Sequence, residues 1–170
     1  MGAGKTTVGR RVAKLLGRPF ADTDEMVVRA KGRGISSIFE QESELVFRAA
    51  EAHAVVEATG ISGSVIACGG GVVLNQTSVE VLRAAGPVVY LYVPAEVAAG
   101  RLNPLDERPL LKGHDNLERI TQLLSERGQL YERAASHVVE GSGDTEEVAL
   151  SVLEVLAETS DAAWGPHEES

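Results

Sequence analysis

The stretch Met1-Gly2-Ala3-Gly4-Lys5-Thr6-Thr7 decides how the chain is interpreted. It matches the second half of the pattern G-x-x-x-x-G-K-[ST], in which small residues let backbone N–H groups surround the phosphates of a nucleotide, Lys adds a positive charge, and Ser or Thr binds Mg²⁺. Apolar residues then recur at helical spacing and end at a glycine: Val8, Val12, Leu15, Leu16 and Gly17. The N-terminus of that helix would point its dipole at an anion. A phosphate site is predicted here, and a glycine-rich helix cap is the alternative, because a bare GKT is common by chance.

The first glycine of that pattern, and the strand that would lead into it, would fall before Met1. We therefore expect Met1 to be an internal methionine of a reading frame that continues upstream for about ten residues, enough for an apolar strand of usual length and a glycine.

Composition narrows the class of protein. The chain has 170 residues, of which 44% are hydrophobic, so it is long enough for one well-packed domain. Its 16 Lys and Arg against 25 Asp and Glu give a formal charge of −9, which argues against nucleic-acid binding and favours a small ligand. Cys68 is the only cysteine, and the sequence contains neither a signal peptide nor an apolar run near 18 residues. We expect a cytoplasmic protein that does not bind membranes.

Two acidic residues follow the first predicted strand. A short apolar run around Phe20 and Ala21 ends in Asp22-Thr23-Asp24, and ligand groups lie at the carboxyl ends of strands in doubly wound sheets. One Asp could therefore serve a metal and the other a substrate hydroxyl. The alternative is that Asp24 only caps a helix over residues 25–30.

A basic residue and a run of glycines point to an acidic ligand. Arg48 and Glu51 lie three apart on the predicted helix 44–59, hence on one face. Arg48 forms either a surface ion pair or a planar fork that Glu51 holds for a carboxylate. The buried-type strand 65–68 then runs into Gly69-Gly70-Gly71, and glycine loses more backbone entropy on folding than any other residue. Close approach of a ligand is the expected compensation, with Cys68 a small buried hydrophobe beside it.

In the second half of the chain, further helices and strands are predicted. Val88–Val93 is the strongest strand signal, and Pro94 opens a helix with Arg101 near its end. Residues 103–113, with two prolines and mixed charge, are typical of a mobile cover. The remaining predictions are an amphipathic helix over 116–133, a strand at 137–139, a loop at 141–144, a helix over 145–159, and a disordered acidic tail from 160. The four histidines show no metal-ligand spacing.

Six ordered motifs make the chain resemble the shikimate kinases up to about Leu156. They are GAGKTT, DTD, FRAAE, CGGG, ERPLL and ERGQLYERAA. The resemblance implies an α/β P-loop kinase, a three-layer sandwich of the nucleoside-monophosphate-kinase type whose parallel sheet has the order 2-3-1-4-5, here without its first strand. That order places the first strand at the centre of the sheet, so the strands that end at Ala67 and begin at Val88 should each face an unfilled slot. It implies one kinase domain over 1–157, a helical substrate-binding region at about 24–60, a lid at about 103–114, and a tail over 158–170. The implied reaction transfers the γ-phosphate of ATP to the 3-hydroxyl of shikimate, in chorismate and aromatic amino-acid biosynthesis.

The resemblance also assigns roles to residues. Catalysis would fall to Lys5, Asp24 and Arg108, of which Asp24 would bind the attacking hydroxyl and Arg108 of the lid would approach the transferred phosphoryl group. The implied nucleotide-binding residues are Gly2, Ala3, Gly4, Lys5, Thr6, Thr7, Arg101, Arg108 and Gly143. The implied shikimate-binding residues are Asp24, Arg48, Gly69, Gly70, Gly71 and Arg127. Thr6 would bind Mg²⁺, with Asp22 reaching it through water.

Two other functions stay open on the sequence. Another small-metabolite kinase of this fold, such as a gluconate kinase, would also need arginines for a carboxylate. A non-catalytic binding remnant would explain the incomplete phosphate loop. We expect a monomer whose ligands are shikimate and ATP with Mg²⁺.

Overall fold

Helices and short strands alternate along the chain in a computed structural model that describes residues 2–102 and 115–162. The helices are α1 Lys5–Leu16, α2 Thr23–Lys31, α3 Ile35–Gln41, α4 Glu44–Thr59, α5 Gln76–Ala85, α6 Ala95–Gly100, α7 Asn116–Ala134 and α8 Thr145–Ala162. The strands are β1 Phe20–Asp22, β2 Val65–Ala67, β3 Val89–Tyr92 and β4 His137–Glu140, and a 3₁₀ turn spans Val72–Leu74. The predicted helices and strands are all present, most within one or two residues of their expected ends.

The cap of α2 differs from the alternative raised by the sequence. The side chain of Asp22 accepts hydrogen bonds from the backbone N–H groups of Asp24, at 2.9 Å, and Glu25, at 3.2 Å. The helix therefore begins at Thr23, inside the acidic triplet, and Asp24 lies in its first turn. The alternative in which Asp24 is the N-cap is wrong, because Asp22, with extended backbone angles, already satisfies those donors.

The start of α6 and the end of α8 also differ from expectation. Pro94 is the residue that caps α6 and does not occupy its first helical position. Helix α8 continues to Ala162, beyond the expected end at Thr159 and into the stretch expected to be disordered. Leu45 of α4 and Leu117 of α7 are exposed apolar residues, with exposed fractions of 79% and 38%.

The strands form two parallel pairs. In the first pair, β1 lies beside β2 with Asp22 opposite Ala67. In the second, β3 lies beside β4 with Tyr92 opposite Glu140. Because the carboxyl ends of parallel strands meet at one edge, Asp22 and the glycines after β2 come together. Among the described residues each pair is a separate two-stranded sheet.

A cavity of about 450 Å³ lies between the two sheets, and we call it the central slot. It is lined by both inner strands, β2 and β3, and by apolar side chains that include Val12 and Leu16 of α1 and Leu123 of α7. Ala3 also lines it. The expectation that β2 and β3 each face an unfilled slot is confirmed.

Apolar cores join the helices to one another and to the strands. One joins α1 and α8 to β3 and β4 through Val8, Val12, Leu91, Val139, Val148, Ala149 and Val152. A second packs α2, α3 and α4 together through Ala21, Met26, Val27, Ile38, Phe47, Ala54 and Ala58. Burying one such large apolar side chain contributes about 1.5–3 kcal/mol. Helices α2 and α4, which carry Asp24 and Arg48, are thus held by a core of their own. Within 2–102 and 115–162, no helix has the length and apolar character needed to cross a membrane.

Candidate active site

A cleft of about 820 Å³ gathers most of the predicted site residues. Its lining includes Gly2, Ala3, Gly4, Lys5, Thr6, Thr7, Asp22, Asp24, Arg48, Gly69, Gly70, Gly71, Arg101 and Gly143. These residues come from the phosphate loop and the start of α1, the end of β1, the first turn of α2, helix α4, the loop after β2, the end of α6 and the loop after β4. Phosphate-binding and carboxylate-binding candidates, which are up to 69 positions apart in the chain (Gly2 and Gly71), therefore line one cleft.

The phosphate loop depends on two glycines with left-handed backbone angles. Gly2 has φ 71° and Gly4 has φ 77°, a region that other residues rarely adopt. A Cβ at Gly2 would also lie 2.3 Å from the carbonyl oxygen of Ala98. No side chain caps α1 at Gly4, so the first-turn N–H groups, which lack partners inside a helix, lie at the cleft beside Lys5. This arrangement suits an anion.

The predicted metal ligands lie next to each other. The Thr6 hydroxyl donates a hydrogen bond of 2.7 Å to Asp22 Oδ2, and Asp22 is 7% exposed. Within the described ranges no group of three or more His, Cys, Asp or Glu side chains could hold a metal ion. Mg²⁺ in nucleotide sites needs only one or two protein oxygens, since phosphates and water fill the other positions. A hydroxyl and a carboxylate in contact fit that requirement.

Arg48 forms ion pairs with two carboxylates of its own helix, Glu44 and Glu51. Its guanidinium donates to Glu51 at 2.8 Å and to Glu44 at 2.9 Å, and the side chains of Arg48 and Glu51 are only 19% and 4% exposed. Burial lowers the pKa of Arg48, but the hydrogen bonds to Glu51 and Glu44 outweigh it and the pKa is raised. For Glu51, burial raises the pKa and the Arg48 hydrogen bond offsets this only in part. A surface ion pair does not describe this pair.

The glycines after β2 are required by close packing. A Cβ at Gly69 would lie 2.6 Å from Asp24 Oδ1 and 2.8 Å from Glu51 Oε1, and one at Gly71 would lie 1.9 Å from Arg48 Nη1. Two carboxylates and a guanidinium thus converge on this loop. Glu51 Oε1 is buried and accepts no hydrogen bond from the described residues, so it can accept one from a ligand hydroxyl.

Arg127 reaches the same cluster from α7, though it lines the central slot rather than the cleft. Its positive charge lowers the pKa of Glu51, a smaller effect than those of burial and Arg48. Tyr131, one helical turn later, donates a hydrogen bond of 2.8 Å to the carbonyl oxygen of Gly70. Arg48 and Arg127 therefore both act on the carboxylate of Glu51, which lies beside the glycines.

Arg101 is held by the loop after β4. Its guanidinium donates to the carbonyl oxygens of Gly141 at 2.7 Å, Ser142 at 2.6 Å and Gly143 at 3.0 Å. This joins the end of α6 to the loop predicted to flank adenine. Arg108 and the predicted lid over 103–114 lie outside the described residues.

Sequence reasoning missed the apolar wall of the cleft. Ile35, Phe39 and Phe47 line it, and the rings of Phe39 and Phe47 lie 4.9 Å apart. The position of Phe47 directly before Arg48 was the signal in the sequence that could have indicated this apolar wall. Cys68 also lines the cleft, and burial raises the pKa of its thiol to about 12, so it stays protonated and is no nucleophile at neutral pH.

The fold and the cleft together define a class of protein. Helices pack on parallel strands, and a glycine loop with Lys and Thr at a helix N-terminus faces acidic and basic side chains across one cleft. These are the parts of a P-loop kinase.

Comparison with known proteins gives the family. The shikimate kinase family model matches residues 1–157. A shikimate kinase from Halorhodospira halophila is 44% identical over 157 residues, which cover 92% of this chain and 89% of that protein. One from Acinetobacter baylyi is 41% identical, with 92% and 87% covered. The chain belongs to the shikimate kinase family.

Solved structures agree with this. Shikimate kinase from Acinetobacter baumannii in complex with shikimate superimposes with a TM-score of 0.89 at 38% identity, covering 94% of this chain and 89% of the other. The enzyme from Aquifex aeolicus gives a TM-score of 0.81 at 34% identity, with 94% of each chain covered. The expected family and the α/β P-loop kinase fold are confirmed.

Proposed function

We propose that this chain phosphorylates the 3-hydroxyl of shikimate with ATP. The observation that carries the proposal is the shared cleft, in which Lys5 and Thr6 at the phosphate loop face Asp24, Arg48 and the glycines after β2. A nucleotide phosphate at α1 would point toward an acidic substrate held at α4.

Each end of the cleft has its own chemistry. Arg48, already oriented by Glu51 and Glu44, forks the carboxylate of the substrate, and the backbone N–H groups of Gly70 and Gly71 assist. Arg127 adds a second positive charge to this end. Asp24 and Glu51 Oε1, which flank Gly69, accept hydrogen bonds from ring hydroxyls, and Asp24 takes the proton of the attacking one.

At the nucleotide end, positioning and positive charge supply the catalysis. Phosphoryl transfer requires little covalent chemistry from the protein, so cations around the migrating group dominate. Lys5 contacts the β- and γ-phosphates, and the N–H groups of the loop from Gly2 to Thr7 surround them. Arg101 and the loop at Gly143 border adenine. Arg108 is proposed, from the motif alone, to approach the transferred group.

Thr6 and, through water, Asp22 would hold Mg²⁺. When bound, the ion neutralises charge on the β- and γ-phosphates. The protein's part is to keep the hydroxyl and the carboxylate adjacent, as their 2.7 Å contact does before any ion binds. We further propose a cytoplasmic monomer that does not bind nucleic acid, in keeping with its formal charge of −9.

Release of ADP from Mg²⁺-ATP, measured with and without shikimate, tests the proposal. We expect turnover that depends on shikimate and not on gluconate. Lys5→Met should lower kcat by about 100-fold or more, the size expected when one charge-stabilising donor is lost. Lys14→Met, in the last turn of the same helix and outside the cleft, is the matched control. Equal turnover with gluconate would favour the other small-metabolite kinase, and shikimate binding without turnover would favour the non-catalytic remnant.

A further inference from the structure

The carbonyl group of Gly70 accepts a hydrogen bond from a side chain of helix α7. Tyr131 donates its hydroxyl proton to Gly70 O at 2.8 Å, across 61 positions of sequence. A Cβ at Gly70 would lie only 3.3 Å from the same hydroxyl oxygen. The phenol therefore contacts the loop at this one peptide group.

That contact fixes the direction of a neighbouring donor. The carbonyl of Gly70 and the N–H of Gly71 belong to one peptide unit, and the described chain contains no cis peptide bond. In a planar trans peptide the C=O and the N–H point in opposite directions. When Tyr131 holds the carbonyl, the N–H of Gly71 must point to the other side of the loop, while Arg48 packs directly against Gly71.

The loop needs such a constraint because glycine has no Cβ to limit its backbone. A peptide flanked by two glycines can rotate at little steric cost, which would turn the Gly71 N–H away. Tyr131 can oppose this because its own ring is fixed. The ring stacks on Tyr90 of β3 with centroids 5.2 Å apart and planes at 27°.

Tyr131 also touches the second predicted arginine. Burial raises the pKa of the Tyr131 phenol, and the positive charge of Arg127, together with a hydrogen bond from it, partly offsets this. Arg127 and Tyr131 are four apart on α7, so they lie on one face of the helix. One phenol thus joins Arg127, the glycine loop and β3.

We propose that Tyr131 is a positioning residue for the acidic substrate: by holding the carbonyl of Gly70 and bracing Arg127, it aims the Gly71 N–H at the carboxylate that Arg48 binds. The proposal rests on the proposed function and extends it to a residue outside the cleft lining. Tyr131 itself does not touch the substrate.

Tyr131→Phe tests the proposal, because it keeps the ring and its stacking and removes only the hydroxyl. The dissociation constant for shikimate, measured by calorimetry, and the KM for shikimate should both rise about 3- to 10-fold, the effect of one hydrogen bond. The kcat and the KM for ATP should change less than about 2-fold. Affinity for the methyl ester of shikimate, which lacks the carboxylate charge, should change less than affinity for shikimate.

Tyr92→Phe is the matched control, since Tyr92 belongs to the same aromatic group and is 41% exposed. It should leave both constants unchanged. Unaltered shikimate affinity in Tyr131→Phe, or an equal loss for acid and ester, would overturn the proposal. A fall in kcat alone would also overturn it. If the unmodified chain binds no shikimate, the proposed function itself fails, and the wild-type titration identifies that case separately.

Discussion

Thr6 Oγ1 donates a hydrogen bond of 2.7 Å to Asp22 Oδ2, which joins the first turn of α1 to the carboxyl end of β1. The same carboxylate caps α2 through its other oxygen. One side chain therefore contacts Thr6, its proposed partner in metal binding, and also caps the start of α2.

Asp22→Asn separates these two tasks. Asn caps helices about as well as Asp, so the free energy of unfolding should fall by less than about 1 kcal/mol. The loss of negative charge should raise the Mg²⁺ concentration needed for half-maximal activity by about 10-fold or more. Asp115→Asn is the control, because Asp115 caps α7 in the same way but does not line the cleft. An unchanged Mg²⁺ requirement in Asp22→Asn would remove Asp22 from the metal site.

Arg48→Ala should greatly weaken the binding of shikimate and leave the affinity for ADP unchanged. Losing one charged partner of a desolvated pair costs on the order of 2–5 kcal/mol, which corresponds to about 30-fold or more in affinity. Arg33→Ala, which removes an ion pair with Glu42 outside the cleft, is the control and should change the affinity for neither shikimate nor ADP. Calorimetric titration with shikimate and with ADP provides the comparison, and retained shikimate affinity would contradict the role of Arg48.

Glu51 should leave a signature in the pH dependence of stability. Its pKa is raised from 4.5, chiefly by burial, so the folded state holds this proton more tightly than the unfolded state. Its contribution to the free energy of unfolding is therefore fully present below pH 4.5 and is lost as the pH rises through the folded pKa. Urea unfolding of Glu51→Gln from pH 4 upward should lack this decline.

The control for this series is Glu57→Gln, on the exposed side of the same helix. It should reproduce the wild-type dependence on pH. If Glu51→Gln and the wild type decline in parallel, burial does not govern the ionisation of Glu51.

Local signals in the sequence were sufficient for helices and for contacts within one helix. Glycine and proline punctuation and apolar periodicity set most element bounds, and the spacing of Arg48 and Glu51 put their side chains on one face. Contacts between distant segments were not encoded locally. The bond from Tyr131 to Gly70 spans 61 positions and depends on how α7 packs beside the loop. The cap at Asp22 was missed because two Asp residues in one triplet are equally good caps by composition alone.

The central slot predicts that the chain will accept an added strand. Fusing an apolar, β-branched segment of about five or six residues and a glycine before residue 2 should pair both inner strands. Each backbone group that gains a partner in a buried site is worth roughly 1–3 kcal/mol. The free energy of unfolding in urea should rise by at least about 3 kcal/mol. The same segment with proline at alternate positions cannot pair and is the control, and equal stabilities for the two fusions would contradict this view of the slot.

Identification of the product tests the central claim most directly. The account predicts that the protein, incubated with Mg²⁺-ATP and shikimate, forms a phosphomonoester whose ³¹P resonance couples to the proton on C3 of shikimate, in an amount equal to the ADP released. Inorganic phosphate as the only product, or a phosphate on another hydroxyl, would contradict the arrangement of nucleotide and acid in the cleft.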